Sequence, residues 1–464
     1  MSKLIKYFSL VVLSIVLTGC LSLFCQKETI SFLPETDQWT PPVNTLPEEI
    51  PVPLLKSAAK PKYLRSIHLT SWVAGSPKRR SQISEWLAQT ELNSVVIAIK
   101  EYQGEVYVSG VELVQQFRAY VPAIPDLENY LKVLKSSGVY TVARIVVFKD
   151  NIAARRRPEW AVKDAAGDIW RDNAGNSWLD PYSPAAWDYN LSIAERCAEL
   201  GFDEIQFDYV RFPSDGKIRN CRYTQAHSTA TAVECIAQFL AAAKTRLKTK
   251  YPVNISADVF GLTTTPGNAM GIGQMLVEIA KQVDFVCPML YPSHYAKGEF
   301  GIPDPNLQPY KTVYRSLQNA VKVLGPDAAK LRPYYQDFSL GCPYGAAEVL
   351  AQIQAGYDND VAEWILWSPT VNYHALAFKG KSFSDNYQQS GEAKKIELLN
   401  SRIAAPLVKI KPAEQETNPM LEQKSETEKT NETSMVDKVK SYLKNALGSF
   451  WTGGRSQNVK MEGN

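Results

Sequence analysis

Between residues 65 and 368 the chain alternates two patterns of apolar and polar positions. Eight short runs are apolar throughout or alternate with a period of two: Arg65–Trp72, Ser94–Lys100, Thr141–Phe148, Glu204–Arg211, Asn254–Gly261, Phe285–Tyr291, Leu331–Phe338 and Glu363–Ser368. Such runs predict strands. Stretches with a helical period lie between them. DLENYLKVLKSSG (126–138) opens on Asp and closes on Gly, and AAWDYNLSIAERCAELG (185–201) is a second example. Eight strands alternating with helices over roughly 300 residues predict an α/β fold of the (β/α)8 TIM-barrel type, whose usual size is about 250 residues plus insertions. The competing architecture, a doubly wound open sheet, calls for a glycine-rich phosphate loop after an early strand, and the sequence has none.

Strand parity then sorts side chains. In GFDEIQFDYVRFP (201–213), Ile205, Phe207 and Tyr209 share one face while Glu204, Gln206 and Asp208 share the other. The outer face of a parallel barrel packs on helices and must be apolar, so Asp208 points inward near the carboxyl end, where active sites form. NISADVFG (254–261) repeats the arrangement and turns Asp258 inward. Neighbouring strands lie about 4.8 Å apart, so the two carboxylates face one space. Cleavage of a glycosidic bond commonly needs such a pair, one protonated and one ionised. The same rule points His68, Thr70 and Trp72 inward on the first strand, Lys100 on the second and Arg144 on the third, and leaves Gln336 and Asp337 as competitors on the seventh. Arg211 and Lys100 are expected to keep Asp208 ionised, which makes it nucleophile or base. Asp258, beside Val259 and Phe260, is the expected acid.

A long insertion after the third strand contains Trp160, Trp170, Trp178, Tyr182 and Trp187 among polar and turn residues. Aromatic faces stack on sugar rings, so this loop is a candidate glycan platform with Trp178 and Asp180 nearest the site. The plain alternative is a satellite core. Arg155, Arg156 and Arg157 read as a solvated charge run or as a means of steering an acidic polymer.

The termini differ in character. Lys3 and Lys6 precede the apolar run Leu10 to Leu17 and then Leu17-Thr18-Gly19-Cys20, which resembles a bacterial lipobox. That resemblance implies a signal over residues 1–19 and an acylated Cys20 that anchors the protein to a membrane of the bacterial cell envelope. Seven prolines between residues 34 and 61 predict a stiff tether over 20–62, ahead of a barrel over 63–390. Residues 391–464 are rich in Lys, Glu, Thr, Asn and Ser and read as a disordered tail carrying one amphipathic stretch, Met435–Trp451. With 51 basic against 48 acidic residues, nothing favours nucleic acid as a partner. Of the cysteines exposed to an oxidising compartment, Cys221 and Cys235 form the pair to test. Four histidines and no His-x-His leave a metal-dependent reading weak, and no cofactor is called for.

The stretches LTSWVAGS, ARIVVFKD, WLDPY, GFDEIQFDYVRFP, SADVFG and CPMLYPSHY, within residues 63–373, resemble the bacterial putative glycosyl hydrolase domain family, long described only as a domain of unknown function. The resemblance implies a glycosidase-like TIM barrel acting on a polysaccharide or oligosaccharide, and Asp208, Asp258, Arg211, Tyr291 and His294 match its motif positions. GFDEIQFDYV is also similar to the fourth-strand motif of family-18-like chitinases, but Val210 stands where their acidic Glu would be. Trp72, Lys100, Arg144, Trp178, Asp180, Gln206, Arg211, Tyr291, His294, Gln336, Asp337 and Trp367 are the expected substrate-binding residues around the two acids. A surface glycan-binding lipoprotein that keeps the barrel without turnover is the alternative function.

Overall fold

The computed structural model describes residues 60–380. Eight parallel strands close on themselves in chain order. They are β1 (Arg65–Leu69), β2 (Ser94–Lys100), β3 (Tyr140–Val146), β4 (Glu204–Asp208), β5 (Asn254–Phe260), β6 (Phe285–Leu290), β7 (Tyr334–Gln336) and β8 (Trp364–Trp367). The pairing closes from β1 against β2 round to β8 against β1, where Ile67 pairs with Leu366, with one register irregularity between Ala98 and Lys100 of β2. The (β/α)8 barrel expected from the hydrophobic pattern is therefore the fold, and every predicted run overlaps its strand, β3 starting one residue earlier than its run.

Helices alternate with the strands: α1 (Ser71–Ala74) and α2 (Pro77–Gln89) after β1, α3 (Glu112–Phe117) and α4 (Leu127–Ser136) after β2, then α5 (Asn151–Arg156) and α6 (Pro184–Glu199) after β3. The second half carries α7 (Thr229–Lys248), α8 (Leu276–Gln282), α9 (Pro309–Leu324) and α10 (Ala346–Tyr357). Local chemistry sets their starts. Ser183 and Ser228 accept hydrogen bonds from the first-turn N–H groups of α6 and α7, and Pro184 and Pro309 occupy first positions where no N–H is needed. Outward strand residues such as Val95, Ile97, Ile205, Phe207, Ile255 and Ala257 are buried against the helices in the main core. A second cluster of Val96, Tyr140, Val142, Cys287, Tyr334 and Ile365 fills the barrel interior.

Most strands end earlier than the pattern predicts, and at β1 and β4 the shortening moves a side chain. β1 stops at Leu69 because Thr70 caps α1, its hydroxyl accepting from Val73 N–H at 3.4 Å. Trp72 thus lies on a helix with 62% of its surface exposed, not on the barrel's inner face. β4 stops at Asp208 because Tyr209 takes a left-handed conformation, φ 49°.

The expected signal (1–19), acylated Cys20, the tether up to residue 59, the tail beyond residue 380 and the Met435–Trp451 stretch lie outside the described residues. Cys221 and Cys235 are both free thiols, and Cys235 Sγ donates to the Pro181 carbonyl at 3.1 Å. No helix among the described residues is long and apolar enough to cross a membrane.

Candidate active site

The inward ends of β3, β4 and β5 bring three charged side chains together. Arg144 pairs in register with Gln206, Val146 with Asp208, and Phe207 with Ala257, so Asp208 and Asp258 occupy successive neighbouring positions at the carboxyl rim. The Arg144 guanidinium lies between them. It donates to Asp208 Oδ2 from Nε at 3.0 Å and from Nη2 at 2.5 Å, while Asp208 Oδ1 accepts from Tyr209 N–H at 2.6 Å. That last bond requires the left-handed turn at Tyr209, a conformation costly for a bulky residue and common at functional sites.

Asp258 receives much less. Its Oδ2 stands 4.0 Å from Arg144 Nε, beyond hydrogen-bond reach, and its buried Oδ1 meets no protein donor. Burial pushes the Asp258 carboxyl well above the usual carboxylate range, and the nearby Asp208 charge pushes it further, against a smaller opposing pull from Arg144. One nitrogen at 3.0 Å from one carboxylate oxygen and 4.0 Å from the other holds those oxygens no more than roughly 7 Å apart, which excludes only the widest of the separations used by paired glycosidase acids, about 5–9.5 Å. Arg144 also reaches Glu101, at 3.4 and 3.5 Å. Beside it His68 is buried with neither ring nitrogen on a protein partner. Desolvation, aided by the Arg144 charge, keeps its ring neutral.

Around the mouth of β6 and β8, aromatic rings form one wall. Tyr291 stacks on Trp367 at 5.3 Å between centroids, and Phe338 meets both edge-on. His294 packs against Tyr291 at 5.4 Å, and burial lowers its pKa to about 4. The Tyr291 hydroxyl is pushed well up by burial and by Asp258 and Asp208, so this wall shares the field of the carboxylates. Gln336 accepts from Ser293 N–H at 3.0 Å and donates to the Phe338 carbonyl at 2.9 Å, fixing the wall's backbone. Gln206 lies one layer lower, accepting from the Tyr334 hydroxyl at 2.6 Å.

Five expected binding residues serve other purposes. Lys100 does not face Asp208: a register irregularity between Ala98 and Lys100 turns it outward, where it is fully buried and pairs with Asp150 at 2.8 Å. Arg144 holds Asp208 instead. Asp180 ties the loop together, accepting from Thr224 N–H at 2.7 Å and Thr224 Oγ1 at 2.8 Å. Asp337 is committed to His374, 2.5 Å from its Nδ1. Trp178 is buried in a satellite core, donating to Asp172 Oδ2 at 3.3 Å, so the insertion offers no open tryptophan face at that position. Arg211 is clasped by Trp178, Tyr209 and Phe260 at 4.9, 4.7 and 4.4 Å, and its Nη1 donates to Phe212 O and Ser214 Oγ rather than to Asp208. Glu101 was not anticipated: only the irregularity in β2 brings it to Arg144, and no periodic pattern signals that.

The chain is similar to several solved structures. A hypothetical protein from Ruminiclostridium thermocellum is 35% identical over 42% of this chain and 97% of its own, with a TM-score of 0.38. The glycoside hydrolase domain of PgaB (BpsB) from Bordetella bronchiseptica shares the fold, with a TM-score of 0.52 at 13% identity over 73% of this chain and 98% of its own. The spore cortex-lytic enzyme SleL of Bacillus megaterium is 12% identical over 69% of this chain and 73% of its own, with a TM-score of 0.42. Among curated proteins none matches. The model of the family described as "putative glycosyl hydrolase domain" matches residues 66–373, and the chain belongs to that family.

Proposed function

We propose that the protein is a glycoside hydrolase that cleaves a cell-envelope or extracellular polysaccharide while anchored to the bacterial envelope through acylated Cys20. The observation that carries this reading is the unequal sharing of Arg144 by two buried acids. Asp208, with both oxygens on donors, is the nucleophile or the base that activates water. Asp258, whose carboxyl burial holds well above the usual carboxylate range, gives its proton to the glycosidic oxygen as the bond to the anomeric carbon breaks. Tyr291 and Trp367 offer the sugar an aromatic wall, and exposed Trp72 extends the binding surface beyond β1.

The test is a screen of the protein against cell-wall and capsule glycans, with Asp208→Asn as control. A substrate should be cleaved by the wild type and retained but not cleaved by the variant, with a loss of at least about 10³ in kcat. Binding without cleavage by either form would make the barrel a glycan-binding lipoprotein. For the anchor, Cys20→Ala should move the protein from the membrane to the soluble fraction of the cell; retention on the membrane would refute acylation there.

A further inference from the structure

Three arginines converge on a surface cavity of about 380 Å³ lined by Phe117, Arg118, Ile152, Arg155 and Arg156. The cavity lies between the end of α3 and the last turn of α5, apart from the paired acids. Among the described residues no carboxylate pairs with any of the three guanidinium groups, and the one fixed contact is Arg156 Nε donating to the Phe117 carbonyl at 3.1 Å. Elsewhere in the barrel many strong cations are matched, as in Lys100 with Asp150, Lys149 with Asp172, Arg332 with Glu204 and Arg246 with Glu195.

Arg155 and Arg156 could serve only to complement the carbonyl end of α5. Arg118 has no such excuse. It caps α3 in a left-handed conformation, φ 56° and ψ 41°, at a position where glycine or asparagine is the unstrained choice and an ordinary L-residue is strained. Its side chain nevertheless lines the cavity. Arg157 turns the other way, over the rings of Phe117 and Trp160 at 5.8 Å each, and so leaves the cavity to the other three. The floor of Phe117 and Ile152 is apolar.

We infer that Arg118, Arg155 and Arg156 form a binding site for an anionic sugar residue of a polysaccharide. Guanidinium forks take its carboxylate, sulfate or phosphate, and half-buried Ile152, set over the buried Phe117, meets the apolar edge of its ring. Arginine suits planar bidentate recognition of such groups, and a cavity with an apolar floor fits a ring better than a flat basic face would. Only the choice of a carbohydrate as carrier rests on the glycosidase reading.

Calorimetric titration of the full-length chain with tetragalacturonate and with neutral maltotetraose tests it. The acidic oligosaccharide should bind with an affinity that falls as salt rises, the neutral one should not bind at this site, and the Arg118→Gln, Arg155→Gln, Arg156→Gln triple variant should lose at least about tenfold in affinity. Arg118→Gly is the second variant. It relieves the left-handed strain, so weaker binding with an equal or higher Tm separates a lost contact from a damaged fold. No binding of tetragalacturonate, or equal binding by the triple variant, overturns the inference. So does binding confined to phosphatidylglycerol vesicles, which would make the cavity a membrane contact. The readout is binding, so a failure to find hydrolysis leaves it intact.

Discussion

One guanidinium serves two acids unequally, and on that inequality the proposed division of roles rests. Asp208 takes two N–H groups from Arg144 and one from Tyr209, whereas Asp258 is buried with an oxygen that meets no donor. A carboxyl held above its ordinary range keeps a proton in the folded chain that the unfolded chain has released. Stability therefore falls as pH rises from about 4 through the raised value, and at lower pH the penalty vanishes. Asp258→Asn removes that proton from the balance. The variant should be more stable than the wild type at pH 7, and the gap in urea denaturation should close as the pH approaches 4. A constant gap at all pH values would mean that the carboxyl is ionised in the fold. The same variant should lose about 10²–10⁴ in kcat on a natural glycoside and far less on an activated aryl glycoside, whose leaving group departs without protonation. Equal losses on both would remove Asp258 from the role of acid.

At the scale of elements, β2 separates what a pattern can reveal from what it cannot. Alternation places Val96 inward correctly, and counting on by two would place Lys100 inward as well. One irregularity after Ala98 shifts the register, sends Lys100 out to Asp150 and lets Glu101 reach Arg144. A bulge costs only a local change in hydrogen bonding, so composition does not announce it. The strands themselves were legible because burial against helices forces apolar outer faces, and Arg144, Asp208 and Asp258 were legible because unbulged strands keep parity. Trp178 and Asp180 were not. Their neighbours Asp172, Lys149 and Thr224 come from the connections after β3 and β4, which have no period, and only the fold reveals that these two loops pack on each other. Lys100→Met tests the corrected role. It leaves Asp150 buried without its cation and should destabilise the fold by about 3–5 kcal/mol. The KM and pH profile of the folded fraction should stay unchanged, whereas a lysine acting on Asp208 would shift the pH profile.

On the scale of the whole molecule, the barrel interior is charged at both ends and differently at each. The amino end is closed by Glu204, which accepts from Arg332 at 2.7 and 2.8 Å, from Ser256 Oγ at 2.6 Å and from the Tyr140 hydroxyl at 3.1 Å. Arg332 in turn donates to Glu363 at 2.8 Å and lies 3.7 Å over the Phe285 ring. Glu204 therefore has several partners and no exposure, while Asp258 on the next strand has an oxygen with none. A closed network of this kind joins strands from opposite sides of the barrel and holds the frame on which the carboxyl-end acids are spaced. Its ions are paired, so its net worth against an apolar plug is small, but breaking one partner leaves a buried charge. Arg332→Met should thus cost about 3–5 kcal/mol, and adding Glu204→Gln should recover most of that loss, because the second change removes the stranded charge. Urea denaturation of the two single variants and the double variant checks the cycle. Additive losses would mean that Arg332 acts by packing on Phe285 rather than by neutralising Glu204. In the double variant kcat should stay within a few-fold of wild type at temperatures where it is folded, since neither residue touches the carboxyl-end site; a loss as large as that of Asp258→Asn would place the amino-end network in the catalytic machinery.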